Sequence, residues 1–282
     1  MGLFDLFAKK ESVYFPGCID YFRYQKGFEL YLKIFSKLGI NVKVLEEKRC
    51  SGLEPWESGY DFEMRKIVRK NFDIFKENNV KSIITTNPGC YKMFFKDYPN
   101  ILPYWNIEII NCWDLILEKL NKKPNVIIKS EELVTYHDPC YLGRYCNIYE
   151  TPREIIRMLG YTIREMDNYK EESFCCGSCG GLPRVNKDLA NNIARERVLQ
   201  AKRIGVKKII VIGFDNYDLL KKNAKDSGIE ILELSSILAH ALDIKRIEED
   251  LEESILIETK ANIRLQNELK EEDYYDGEIK DE

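Results

Sequence analysis

No stretch of this chain approaches eighteen consecutive apolar residues, so the sequence offers no helix long enough to cross a bilayer. Positive charge is not in excess either. Lysine and arginine number 43 against 47 acids, a net charge of -4, and the two signs are interspersed, which leaves no basic stripe for nucleic acid. No G-x-G-x-x-G follows a strand, which excludes the usual flavin or nicotinamide fingerprint. The opening "MGLFDLFAKKE" has too short an apolar run for a secretory signal and carries Leu6 where myristoylation needs Ser or Thr. The expected location is the cytoplasm.

What the chain has in quantity is cysteine, nine in 282 residues, within a composition (44% hydrophobic, 12% aromatic) that is otherwise globular. In a reducing compartment so many thiols point to metal binding or redox chemistry rather than to disulfides. Cys112, inside the apolar periodic run "IINCWDLILEKL", reads instead as a buried small hydrophobe. Most of the others fall in turns. "SFCCGSCGGLP", residues 173–183, sets Cys175, Cys176 and Cys179 within five positions. Gly177, Gly180 and Gly181 permit the irregular backbone needed to aim adjacent sulfurs at one object.

The chain is also a duplication. "VYFPGC" answers "TYHDPC", "KLGINVKVLEEKRCSG" answers "MLGYTIREMDNYKEESFCCG", and "NNVKSIITTNPGCYKMF" answers "IGVKKIIVIGFDNYDLL". "IEIINCWDLILEKL" likewise answers "IEILELSSILAHAL", and the offset stays nearly constant. Two domains are expected, 12–125 and 130–244, followed by a charged helical or disordered tail, 245–282. In each half, helical spacings such as Phe28, Tyr31, Phe35 and Leu38 alternate with β-branched runs such as "VKSIITT". That alternation predicts α/β architecture, two duplicated Rossmann-like domains with mainly parallel sheets. The cysteines then fall just beyond strand ends, where open parallel sheets place ligands.

Counting between cysteines sharpens the pattern. Cys18 is followed after 31 residues by Cys50-Ser51-Gly52, and then by "NPGC" ending in Cys90. Cys140 is followed after 34 residues by Cys175-Cys176-Gly177, and then by "GFDN", Gly213 to Asn216. This arrangement resembles the CCG, or cysteine-rich, domain family, which includes the B and D subunits of heterodisulfide reductase and the C subunit of anaerobic glycerol-phosphate dehydrogenase. The resemblance implies iron-sulfur binding and electron transfer, commonly to disulfides or quinone-linked carriers. Carried over residue by residue, it assigns Cys18, Cys50 and Cys90, and Cys140, Cys175 and Cys176, to cluster binding, with a [4Fe-4S] cluster as the expected form. Each half departs from the family's five-thiolate set. Ser51 and Asn87 replace cysteines in the first half, and Gly213 and Asn216 in the second. The second half has two additional candidates, Cys179 and Cys146, and Cys176 with Cys179 forms a local C-x-x-C.

Apart from the resemblance, thiolate groups in loops suit iron-sulfur clusters or zinc, since both take soft, deprotonated sulfur, and zinc stays open for the first domain. A C-x-x-C also serves as a redox dithiol. His137, before Cys140, is either a ligand or proton donor at the site or a residue that fixes the loop by hydrogen bonding. Asp138 and Arg144 flank Cys140 and are placed to tune a cluster. His240, on a helical face, reads as structural. The function expected is an iron-sulfur redox subunit of a heterodisulfide-reductase-like oxidoreductase complex. Its alternative is a degenerate docking or assembly module with structural zinc or no metal. Because the ferredoxin run C-x-x-C-x-x-C-x-x-x-C-P is missing, electrons are expected from a ferredoxin-like or flavoprotein partner. A disulfide or another small molecule is the expected acceptor, and "GLFDLF" and the charged tail are candidate docking elements.

Overall fold

The computed structural model describes residues 12–45 and 50–244; the tail 245–282 and the "GLFDLF" element lie outside the described residues. Among the described residues, eight short strands form two four-stranded sheets. In the first, β1 (Ser12–Tyr14), β2 (Val42–Lys43), β3 (Ser82–Thr85) and β4 (Glu108–Asn111) take the order β2-β1-β3-β4. In the second, β5 (Leu133–Tyr136), β6 (Thr162–Ile163), β7 (Lys208–Val211) and β8 (Glu230–Glu233) take the equivalent order β6-β5-β7-β8. Every pairing is parallel, and Val13 opposite Ile83 corresponds to Thr135 opposite Ile209. The α/β class and the internal repeat thus appear in the topology itself.

Alternation along the strands sends successive side chains to opposite faces. Val13 and Ile83 join an outer core with Met64, Val68, Phe75 and Phe94, and Ile209 and Val211 join another with Ala194, Val198 and Leu220. Tyr14, Ile84, Tyr136 and Ile210 face the other way, into one apolar cluster that belongs to both halves. Four helices fill it: Gln25–Leu38, Cys112–Asn121, Glu150–Met158 and Leu234–Ala241. The first packs against the last, and the middle two pack against each other, so each half is covered partly by helices of its twin. Burying a large apolar side chain is worth ~1.5–3 kcal/mol. Tyr31, Phe35, Ile155, Ile156 and Leu238 make that contribution within a cluster drawn from both halves.

Local sequence explains the elements. Phe28, Tyr31, Ile34, Phe35 and Leu38 lie on the buried face of the helix Gln25–Leu38, which ends where Gly39 turns left-handed at φ 72° and its N–H caps the carbonyls of Phe35 and Ser36. Tyr31 reaches across and donates to Glu233 Oε1 at 3.0 Å. The same buried carboxylate accepts from the N–H of Ser235 at 2.6 Å, capping the helix Leu234–Ala241, and from the N–H of Gly213 at 3.3 Å. Gly27 has a steric reason: a Cβ there would stand 2.0 Å from Cζ of Phe214, whose ring stacks on Tyr24 with centroids 5.0 Å apart.

Candidate metal centre

The two sheets place their equivalent carboxyl ends toward a common region. Cys18 follows β1 and Cys140 follows β5, while Cys90 and Asn216 lie in the helices that follow β3 and β7. Cys50 and Cys175 come in on the long loops between. Each starts a turn in which the N–H two residues on points at its sulfur: Gly52 N to Cys50 Sγ is 3.3 Å, and Gly177 N to Cys175 Sγ is also 3.3 Å. The turn needs glycine. Gly177 has φ 87°, and a Cβ on it would meet the carbonyl oxygen of Ala190 at 2.6 Å.

In the second half the sulfurs of Cys140, Cys175 and Cys179 all lie within 4.8 Å of one another. Cys140 and Cys175 are 3.8 Å apart, and Arg144 donates from Nη2 to Cys140 Sγ at 3.0 Å. Hydrogen bonding from Cys140 is the main cause that lowers the Cys175 thiol to about 6. Cys176 is fully buried beside this trio, 3.1 Å from Asn216 Oδ1 and 3.2 Å from Ser178 Oγ. In the first half Cys18 and Cys50 interact, which lowers Cys50 to about 7 and raises Cys18. Cys90 bonds instead to Ser51 Oγ at 3.3 Å. Among the described residues, no group of three thiols as tight as that of the second half forms in the first.

The two halves are complementary in what they have lost. Ser51 and Cys90 in the first half are the equivalents of Cys176 and Asn216 in the second, and in each half the two side chains are hydrogen-bonded partners. One thiol remains in each pair, on opposite members. Asn87, in a cysteine position of the family pattern, caps its own turn: Oδ1 accepts from the N–H of Cys90 at 3.1 Å, and Nδ2 donates to the buried Asp20 at 3.1 Å. Between the halves lies a cavity of about 390 Å³ reached by Cys18, Cys50, Cys90, Ser178 and Asn216.

A clasp closes one side of this region. The helix Leu53–Glu57 directly follows Cys50-Ser51-Gly52, and its Glu57 accepts from the Tyr141 hydroxyl and, at 3.1 Å, from the N–H of Gly180. Glu54 pairs with Arg184. A first-half carboxylate therefore holds the neighbours of Cys140 and Cys179.

Asp138 does not face the thiols. Its two oxygens take Arg153 at 2.6 and 2.8 Å and the N–H of Lys170 at 2.8 Å, and Arg153, fully buried, also bonds Glu165. His137 is fully buried; its Nδ1 accepts from Arg197 Nε at 3.1 Å, and burial with the neighbouring guanidinium lowers it to about 4. Cys146, expected among the thiols, stands apart from them. Its half-buried side chain packs on the inner core, and burial raises its thiol to about 11. Cys112 is buried in the inner core, and His240 is exposed near the end of the helix Leu234–Ala241.

Sequence reasoning passed over Arg197 and Arg153, which look like ordinary surface charges until the helix Lys187–Arg203 and the helix Glu150–Met158 bury them. It also passed over Glu57 and the five-residue π-helical segment Met93–Asp97 beyond Cys90. Of the three arginines near the second-half thiols, Arg144 was marked by its place beside Cys140, whereas Arg153 and Arg197 carry no signal in spacing.

Fold and site together define a duplicated parallel α/β protein with a cysteine nest at the carboxyl edge of each sheet. Sequence comparison gives the family. The cysteine-rich domain (CCG) model matches residues 12–95 and 134–213, and the chain belongs to that family. The D subunit of the dihydromethanophenazine:CoB--CoM heterodisulfide reductase of Methanosarcina mazei is 30% identical over 68% of this chain and 49% of its own length. An iron-sulfur protein of Methanocaldococcus jannaschii is 29% identical over 83% of this chain and 47% of its own length. EtfAB:quinone oxidoreductase of Syntrophomonas wolfei is 28% identical over 61% of this chain and 24% of its own length. The chain thus spans half or less of these relatives. Among solved structures, Picrophilus torridus aspartate racemase aligns with 82% of this chain and 94% of its own at 13% identity and a TM-score of 0.38, too low to bear on function. No described helix is long and apolar enough to cross a membrane.

Proposed function

We propose that the protein is an iron-sulfur subunit of an oxidoreductase complex, with its principal cluster in the second half. The observation that carries this reading is the convergence of Cys140, Cys175 and Cys179 to within 4.8 Å, with Cys176 buried alongside. Four soft thiolate donors in one loop system match the ligand number of a [4Fe-4S] cluster, and such a cluster supplies one-electron transfer. The chain's own residues supply the rest. Gly177 N–H and Arg144 direct hydrogen-bond donors at Cys175 and Cys140, which stabilises negative charge on sulfur, and the Glu57 clasp fixes the loops that carry Cys140 and Cys179.

In the first half Cys18, Cys50 and Cys90 offer three thiolates, enough for a second cluster with one open iron or for zinc completed by another ligand. Relatives named as redox enzymes support a ferredoxin-like or flavoprotein electron donor and a small-molecule acceptor such as a disulfide. The cytoplasm is the location that goes with this reading, because cysteines kept as cluster ligands need a reducing compartment. The repeat units proposed as domains are 12–125 and 130–244.

A single zinc ion in the second half is the second reading, favoured by one distance. Zinc–sulfur bonds of about 2.3 Å at tetrahedral angles set sulfurs about 3.8 Å apart, the spacing of Cys140 and Cys175. Anaerobic purification of the full chain with iron, zinc and acid-labile sulfide analysis separates the two. Iron with equimolar sulfide, lost in Cys140→Ala, Cys175→Ala and Cys179→Ala but kept in Cys146→Ala, is expected. Zinc without sulfide supports the second reading, and full iron in Cys179→Ala overturns the ligand set.

A further inference from the structure

Behind the second cysteine nest sits a buried cation with no anion directly bonded to it. Arg197 is fully buried, and its hydrogen bonds go only to neutral acceptors: His137 Nδ1 at 3.1 Å, the Asn168 carbonyl at 2.8 Å, Gln200 Oε1 at 2.7 Å and Ser173 Oγ at 3.2 Å. The nearby carboxylates Asp138 and Glu165 are bonded to Arg153 instead. A buried guanidinium without a bonded anion is costly, and the negative groups that act on it from a distance are Asp138 first, then Cys176 as thiolate, Glu165 and Cys140 as thiolate.

The histidine beside it is equally incomplete. Arginine has no acceptor, so the bond from Arg197 Nε requires a bare Nδ1 on His137 and puts the ring proton on Nε2. That Nε2–H is buried and has no partner among the described residues. Cys140, Asp138 and Cys175 are the negative groups acting on the ring, and Asp138 is committed to Arg153 and Lys170. Neither ring nitrogen is free to bind a metal, because one accepts from Arg197 and the other carries the proton. A buried donor without an acceptor marks a missing group.

We propose that His137 Nε2–H donates a hydrogen bond to a sulfur of the second-half cluster, and that Arg197 is the positioning residue that fixes this tautomer and balances the cluster's negative charge. The proposal rests on the cluster reading above. A donor aimed at cluster sulfur and a buried cation both stabilise the more negative, reduced state, so together they raise the reduction potential.

The test uses the full chain, reconstituted anaerobically with iron and sulfide and labelled with Nε2-15N histidine. The chain has only two histidines, and His240→Gln removes the exposed one. Pulsed electron-paramagnetic spectra of the reduced cluster are expected to show a weak 15N coupling, retained in His240→Gln. His137→Phe is expected to abolish the coupling and lower the potential while keeping its iron and sulfide. Arg197→Met is expected to weaken the coupling and lower the potential, and Arg197→Lys to restore part of both. Full iron and sulfide in the wild-type protein without any 15N coupling, or with the strong coupling of a direct iron–nitrogen bond, overturns the proposal and leaves the cluster reading standing. Wild-type protein without iron and sulfide overturns both. If His137→Phe does not fold, the wild-type coupling still decides.

Discussion

Gly27→Ala tests how the halves are fitted together. On propensity alone, alanine inside the helix Gln25–Leu38 should stabilise it by about 1 kcal/mol relative to glycine. The structure predicts the opposite sign. The added Cβ would stand 2.0, 2.6 and 2.7 Å from three ring atoms of Phe214, a buried side chain stacked on Tyr24, so the ring cannot simply swing into solvent. Overpacking of this kind costs about 1–3 kcal/mol, and the depth of the overlap puts it at the upper end. Net destabilisation of about 1–2 kcal/mol is expected, or roughly 2–4 °C in melting temperature per kcal/mol for a chain near this size. The decisive measurement is a double-mutant cycle by urea unfolding of the metal-free chain. In a Phe214→Ala background the clash is gone, and Gly27→Ala should turn stabilising by about 0.5–1 kcal/mol, a coupling of about 1.5–3 kcal/mol. A stabilising Gly27→Ala in the wild-type background, or an equal cost in both backgrounds, refutes the packing described between the halves. The result matters for the site because Phe214 lies between Gly213 and Asn216, and Gly213 abuts Pro88 of the first-half loop, where an added Cβ would be 2.9 Å away.

The thiols of the metal-free, reduced protein should differ widely in reactivity. With Cys175 lowered to about 6 and Cys146 raised to about 11, both partly accessible, Cys175 is mostly thiolate at pH 7 and Cys146 almost wholly protonated. Peptide-resolved alkylation should therefore favour Cys175 by orders of magnitude at pH 7, with the gap closing as pH rises towards 11; equal rates at pH 7 contradict the assigned environments. Glu57→Ala removes the acceptor shared by Tyr141 and Gly180 N–H across the halves. It is expected to leave the fold intact and speed iron loss from the second half to a chelator several-fold, with Glu57→Gln intermediate, and an unchanged rate argues that the clasp is only a surface contact.

Much of the architecture was legible in local pattern. A helical spacing from Phe28 to Leu38 closed by Gly39, and β-branched runs at 82–85 and 208–211, each depend on residues a few positions apart. Repetition of that order at a constant offset was enough to anticipate two parallel sheets, and the turn chemistry of Gly177 was readable for the same reason. The cysteine spacing placed thiols beyond the strand ends, because a strand's length determines where its loop begins.

Which thiols meet is a different kind of fact. Cys140 and Cys175 are 35 positions apart and Cys176 and Asn216 are 40 apart, and only the pairing of β5 with β7 and the packing of the helices between them set those distances. Cys146, six residues from Cys140, is separated from the nest because its turn points it into the inner core. Ser51 with Cys90, and Cys176 with Asn216, appear in sequence as unrelated losses and in space as the same pair with opposite members kept. Arg197 and Glu57 read as ordinary charges, since sequence periodicity records which face of a helix is apolar but not which charge a neighbouring element will cover. The sequence alone determined a duplicated α/β protein with thiols gathered at strand ends. Tertiary structure decided which sulfurs converge, that both halves share one core, and that a buried guanidinium and an unsatisfied imidazole N–H stand behind one nest, because those depend on free energies of burial between segments far apart in the chain.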